Sequence, residues 1–318
     1  MSVTVVVPTC NRRAWVPELV AALGAQTWEE LRVIVVDDGS HDGTAEAWAE
    51  ATAGDPRFRV LRAGRGGPAA ARNAALPEIT TEWVAFTDDD CLPTAGWVAG
   101  LVARADAARA DVVQGLTRPD PRIDRTRVPW WSRSMTVTEW SGRYQTCNLL
   151  VRTSALRAVG GFDDRFPHPC GEDTDLGLRL VAAGCSATFA EDAVMHHRVI
   201  PMTYREFLRR RYRWAHVVQL VAVNPAARSV FPMPYVSHKL HLAFWLGIPL
   251  SLWALWSGRP WVPLVGAAAF GWRQARQSPT KGRSPVVATA YGAAELGGLA
   301  AAAIGFLVQS VRHRRLLL

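Results

Sequence analysis

Lysine is almost missing from this chain: Lys239 and Lys281 are the only two among 36 basic residues. The formal charge of +8 therefore rests on arginine, which is read mainly as compositional bias rather than as phosphate recognition. Cysteine is sparse as well. The count of five is odd and no pair has C-x-x-C spacing, which excludes a disulfide framework and a structural zinc site and fits a reducing compartment. The opening MSVTVVVPTCNRR lacks a charged region followed by a long apolar stretch, so no secretory signal is expected. What the chain does have is apolar content, 49% of 318 residues. That is enough to bury one large domain with an appendage, or two modest domains.

Residues 1–200 alternate short β-branched runs with alanine-rich helical stretches. VTVVVP (3–8), LRVIVVDDGS (31–40), FRVLRA (58–63) and WVAFTDDD (83–90) read as strands. AWVPELVAALGAQ (14–26), GTAEAWAEATAG (43–54) and GPAAARNAAL (67–76) read as the helices between them. Continuously apolar strands in such an alternation predict an α/β fold with a mostly parallel sheet covered on both faces.

After about residue 236 the chemistry changes. Residues 240–257 and 286–311 approach the roughly 20 apolar residues needed to cross a bilayer. The stretch 261–272 is shorter, and Pro263 interrupts it. Trp245, Trp253, Trp256, Trp261 and Trp272 flank these stretches as an interfacial belt does. Membrane association is therefore favoured over a buried helical subdomain. Basic clusters at 273–283 and at Arg312, Arg314 and Arg315 mark cytoplasmic flanks, which conflicts with a simple single crossing by the last stretch.

Asp88, Asp89 and Asp90 end the fourth expected strand. Two charges 4 Å apart repel by roughly 4 kcal/mol at an effective dielectric near 20, so solvent, arginine or a divalent cation must offset them. Ligands of open parallel sheets sit beyond the carboxyl ends of the strands, where Asp37 and Asp38 also lie. A hard divalent cation, magnesium or manganese, on Asp88 and Asp90 keeps positions open for diphosphate oxygens.

VVVPTCNR, VVDDGS, GPAAARN, FTDDDCLP, NLLVRTSALRAVGGFDDRF and GEDTDLGLRLVAAG follow one another in this order. Together, over roughly residues 2–215, they resemble the family 2 glycosyltransferases of the GT-A fold. The resemblance implies a catalytic domain at 1–215 and a helical, membrane-associated region at 216–318. It places Pro8, Thr9, Asn11, Arg12, Asp38, Gly67, Arg72 and Asn73 at the nucleotide. Asp88 and Asp89 take ribose or metal, Asp90 takes metal, and one of His196 and His197 reaches the metal or diphosphate. Asp173 of the E-D pair is implied as general base, with Glu172 as its rival. Trp140 and Asn148, from an aromatic-rich segment, are weaker candidates for contact with the donor sugar or acceptor.

These expectations describe an inverting transferase with a nucleotide-diphosphate sugar donor and a sugar-hydroxyl acceptor, lipid-linked or part of a cell-surface glycan. It would work at the cytoplasmic face of a membrane, with no nucleic-acid partner. A nucleotidyltransferase needs a lysine or glycine-rich phosphate signature near the first strand, where TCNRR stands instead. A non-catalytic nucleotide-sugar-binding or scaffolding protein is disfavoured because the D-x-D and E-D acids are intact.

Overall fold

The computed structural model describes residues 1–233, 235, 239–259, 261–277 and 285–317. The chain forms two compact units, Met1–Arg122 with Ser134–Val199, and Ile123–Arg133 with Ile200–Leu318. By packing, the segment 200–215 belongs to the second unit, whereas the sequence motifs group it with the first.

The first unit is built on eight strands: β1 (Val3–Thr9), β2 (Leu31–Asp38), β3 (Phe58–Ala63), β4 (Trp83–Phe86), β5 (Cys91–Pro93), β6 (Val112–Pro119), β7 (Leu149–Arg152) and β8 (Ala187–His197). They form one sheet in the order β3-β2-β1-β4-β7-β6-β8-β5. β3, β2, β1 and β4 run parallel, β7 opposes both β4 and β6, and β6 runs parallel to β8. The helices are α1 (Val16–Gly24), α2 (Thr44–Ala51), α3 (Pro68–Ala75), α4 (Trp97–Ala108), α5 (Thr153–Ala158) and α6 (Glu172–Ala182).

The two-residue period of β1 assigns its valines to opposite layers. Val3, Val5 and Val7 pack with Leu19 and Leu23 of α1, Trp48 of α2 and Trp97 and Leu101 of α4. Val6 joins Ile34, Val36, Val84 and Phe86 against Ala71 and Ala75 of α3, Leu156 of α5 and Leu176 and Leu180 of α6. The result is a sheet covered on both faces, as the unbroken apolar strands require. β4 ends at Phe86, so Asp88–Asp90 lie in the turn beyond its carboxyl end and not within the strand.

The second unit holds α7 (Tyr204–Arg213), α8 (Val217–Val223), α9 (Lys239–Trp256), α10 (Trp261–Gln277) and α11 (Pro285–His313). α7 starts in a capping box: Thr203 accepts from Glu206 N and the Glu206 side chain accepts from Thr203 N. Trp130 and Trp131 gather with Tyr204 and Phe207, and Trp131 Nε1 donates to Met202 O at 2.8 Å, so these half-buried tryptophans join an aromatic cluster of this unit. Among the described residues one helix is long and apolar enough to cross a membrane, α11 over Gly292–His313. The apolar run of α9, His241–Trp256, is shorter than a span and carries Pro249. Residues 278–283 of the expected basic loop, with Lys281, lie outside the described residues.

Candidate active site

Each of the three adjacent aspartates meets a nitrogen-bearing side chain from a different part of the sequence. Asp88 Oδ1 accepts from Arg72 Nη2 at 2.7 Å. Asp89 lies 3.6 Å from Arg12 Nε and accepts from Cys10 N at 3.3 Å. Asp90 Oδ1 lies 3.4 Å from His197 Nε2. This division answers the repulsion that the run creates. Asp89 still pays for its position: burial first, then the charge of Asp90, push its carboxyl up to about 7 against the pull of Arg12.

The Asp90–His197 pair suits a divalent cation. His197 Nδ1 faces the carbonyl of Arg198 at 2.8 Å and must donate to it. A neutral imidazole then turns its Nε2 lone pair toward a carboxylate oxygen, and two lone pairs at 3.4 Å need a proton or a metal ion between them. Cys91 Sγ completes a cluster whose ligand atoms all lie within 4.8 Å of one another. Burial, then Cys147, hold that thiol well above its usual range, so the donors left for a cation are the carboxylate and the imidazole. Asp88, expected at ribose or metal, pairs with Arg72.

His197 is therefore the histidine beside the acidic run. His196, one residue earlier on β8, points to the other face and lines a cavity of about 250 Å³ with Glu18, Leu92 and Arg122. Of the two histidines between which the sequence left the choice open, His197 is the one beside Asp90.

Several residues expected at the nucleotide also hold loops together. Asp38 accepts from Gly66 N at 2.8 Å and Gly67 N at 3.0 Å, fastening the turn before α3. Gly67 has φ +86°, and a Cβ there would lie 2.5 Å from Pro167 O, so its close approach is to the chain itself. Asn73 Nδ2 donates to Phe162 O and Asp164 Oδ1, and Asn73 Oδ1 accepts from Phe162 N, pinning the GGFDD turn. Arg72, expected beside base or ribose, is 2% exposed and bridges two carboxylates. Pro8 and Thr9 are buried at the end of β1, opposite Val36 and Asp37. Asn11 takes φ 56° and binds the DDGS turn, accepting from His41 N and donating its own N–H to Ser40 Oγ.

At the start of α6 three acids divide their partners. Glu172 is buried and lies 3.4 Å from Arg72 Nη1. Asp175 receives Arg179 Nε at 2.7 Å, and Arg179 also donates to Val159 O and Gly161 O, tying the helix to the GG turn. Asp173 accepts from Thr174 N at 2.7 Å and keeps access to solvent. Burial, then the neighbouring Glu172, push Asp173 up to about 8. Burial also raises Glu172, against the pull of Arg72. The helix is seated by Tyr144, whose ring occupies the space where a Cβ on Gly177 would lie, and by Thr174 Oγ1 donating to Arg143 O at 2.9 Å.

Asn148 is not available to a sugar. Its side chain donates to Leu116 O and Ala193 O, accepts from Trp97 Nε1 and is wholly buried against Gly115. Trp140 is 40% exposed and edge-on to Tyr144 at 5.1 Å, which leaves a surface for contact. Sequence reasoning missed Trp15 and Arg198. The Arg12 and Arg198 guanidiniums lie 4.5 and 5.2 Å from the Trp15 ring, and Arg198 N donates to Asp90 O. The position of Arg198 directly after the histidine pair was the available signal.

The family model for glycosyl transferase family 2 matches residues 4–166. The chain belongs to that family. A model for glycosyl transferase family 21 also matches residues 142–263. Glycosyltransferase AglE of Haloferax volcanii is 29% identical over 219 residues, covering 66% of this chain and 71% of its own. The pre-mycofactocin glycosyltransferase of Mycobacterium tuberculosis is 33% identical over 213 residues, covering 61% of this chain but only 42% of its own. Among solved structures, the mannosyltransferase PcManGT from Pyrobaculum calidifontis, in complex with GDP-Man and Mn2+, aligns over 96% of this chain and 87% of its own with a TM-score of 0.60 at 24% identity. S. aureus TarS 1–349 in complex with UDP-GlcNAc aligns over 99% of this chain and 93% of its own with a TM-score of 0.53 at 17% identity. The fold is GT-A, and the reaction class is glycosyl transfer.

Proposed function

We propose that this glycosyltransferase moves a sugar from a nucleotide-diphosphate donor to a hydroxyl acceptor with inversion, at a membrane surface. The observation that carries the reading is the separation of acidic roles. Asp90 faces His197, Asp88 and Glu172 share Arg72, and Asp173 lies outside these pairs with a bond from Thr174 N. Nucleotide sugars in the two structural relatives, and Mn2+ in one, support the donor class and a divalent metal.

Asp90 and His197 would hold the cation, whose chemistry is to neutralise negative charge on the departing diphosphate. A mixed carboxylate and imidazole pair favours manganese over magnesium. Asp173 accepts the acceptor hydroxyl proton as the oxygen attacks the anomeric carbon. The bond from that carbon to the diphosphate oxygen breaks, and the nucleoside diphosphate leaves with the electron pair. One displacement inverts the centre, and no covalent nucleophile is needed. Glu172 is the weaker candidate for base, because burial and Arg72 already commit it.

The apolar character of α11 supports an acceptor at a bilayer, lipid-linked or part of a surface glycan. The deciding experiment incubates membranes holding the full chain with a panel of nucleotide sugars and Mn2+ and follows nucleoside diphosphate release. Release with one donor, dependent on Asp173, supports the reading. No release with any donor, in membranes that bind nucleotide sugar, returns the chain to a non-catalytic binding role.

A further inference from the structure

The second unit contains a packing relationship that bears on how the chain meets a bilayer. α7, the arginine-rich helix, runs alongside the middle of α11. Tyr204 Oη donates to Ala294 O at 3.2 Å, and Arg211 Nη2 lies 3.0 Å from Glu295 Oε2. Glycines on α11 let the helices approach. A Cβ on Gly298 would lie 2.7 Å from Phe207 Cζ, one on Gly297 would strike Tyr204 Oη, and one on Gly305 would strike the backbone oxygen of Tyr212. These contacts run from residue 294 to residue 305, well inside the apolar stretch Gly292–His313.

If α11 crossed a bilayer in this packing, α7 would lie at hydrocarbon depth. Arg205, Arg209 and Arg213 are exposed on it, and exposed guanidinium groups are strongly disfavoured there. A different face of α11, with Ile304, Leu307 and Val311 three and four residues apart, is exposed and apolar. α9 and α10 add exposed Leu250, Trp253, Trp256 and Trp261. Exposed Arg312, Arg314 and Arg315 follow at the end of α11.

We infer that this unit lies in the plane of an anionic bilayer surface and does not cross it. Its exposed apolar side chains enter the acyl boundary, and the arginines of α7 and of the C-terminal end meet lipid phosphate. The charge complementarity and the tryptophans at the ends of α9 and α10 select lipid over a second copy of the chain. Both ends of α11 then share one side of the membrane, which reconciles two basic flanks with one long apolar helix. The inference rests on the membrane association proposed above and adds its geometry.

The test uses the full chain in native membranes. Ala290→Cys and Arg315→Cys, made separately, are probed with a membrane-impermeant maleimide in spheroplasts and in inside-out vesicles, and the extra mass is read against the parent chain. Both cysteines labelling in the same preparation is expected. Labelling in opposite preparations overturns the in-plane placement while leaving membrane association intact. In a second arm, the chain is floated with vesicles of phosphatidylcholine, with or without phosphatidylglycerol. Arg205→Gln/Arg209→Gln/Arg213→Gln should weaken partition onto the anionic vesicles on the order of tenfold or more. Equal partition of both proteins overturns the headgroup role of α7. A chain that stays at the bottom of the gradient and runs as a dimer overturns the membrane reading itself.

Discussion

Arg72 Nη2 stands 2.7 Å from Asp88 Oδ1, and the same buried guanidinium reaches Glu172 Oε1 at 3.4 Å. One cation thus joins the D-x-D run to the E-D helix. Burial alone would lower the affinity of Arg72 for its proton, but Asp88 and Glu172 more than offset this and raise its pKa. Arg72→Met leaves Glu172 buried without its counter-charge. Breaking such a pair from one side costs roughly 3–5 kcal/mol. Urea unfolding of the variant should show that loss. Adding Glu172→Gln should return at least half of it, because no buried charge then stands alone. Strictly additive losses in the double variant would mean that the two groups do not interact.

Gly67→Ala tests why glycine precedes α3. The position combines φ +86° with a Cβ 2.5 Å from Pro167 O, a backbone atom that cannot swing aside. A cost of roughly 1–3 kcal/mol follows from the backbone conformation, with the steric contact added to it. Gly64→Ala is the control, since a Cβ there meets nothing within 4 Å and should change stability by less than about 0.5 kcal/mol. Thermal unfolding of the pair reads the difference, and equal melting temperatures would remove the close approach as the reason for glycine.

The two adjacent histidines give a third prediction. Asp90→Asn and His197→Ala should each weaken Mn2+ binding at least tenfold, as followed by paramagnetic resonance of the free ion. His196→Ala, on the other face of β8, should leave it unchanged. Loss of binding in His196→Ala with retention in His197→Ala would overturn the choice of His197, made from its place beside Asp90.

The layered sheet was legible because unbroken valine runs admit few other folds, and the acidic run stood out because its charges need an answer. The identity of the answering cations was not legible. Arg72 looks like any helix-surface arginine until α3 and α6 are packed, and Glu172 then stands beside it from 100 residues away. Asn148 misled for a related reason. Its amide reads as a sugar contact, yet it fills a buried slot beside Gly115 that forms where β6, β8 and α4 meet. Asp38, Gly67 and Asn73 were expected at the ligand, and the structure adds that each also fastens a turn. Short-range motifs mark the site's walls well, but which wall a side chain faces is decided by contacts that are distant in sequence.

The fourth prediction concerns proton transfer. Asp173→Asn preserves shape and the bond to Thr174 but cannot accept a proton, so turnover should fall on the order of 10²–10⁴-fold with little change in donor binding. The active form of the base is the carboxylate. In the wild-type enzyme kcat/KM should therefore rise with pH through the pKa of Asp173, about 8, and level off above it. Burial is the larger cause of that elevation and the Glu172 charge the next, with Arg72 opposing and Asp88 adding to it. Glu172→Gln removes a like charge and leaves Arg72 in place. Both effects favour the ionised Asp173, so the rising limb should move to lower pH while the plateau survives. Arg72→Met removes the opposing cation and should move the limb to higher pH. Paired profiles of kcat/KM for the acceptor, measured at saturating donor, distinguish this from a structural defect, which lowers the plateau without moving the limb. Opposite displacements in the two variants identify Asp173 as the titrating base, and an unmoved limb in both would assign the titration to another group.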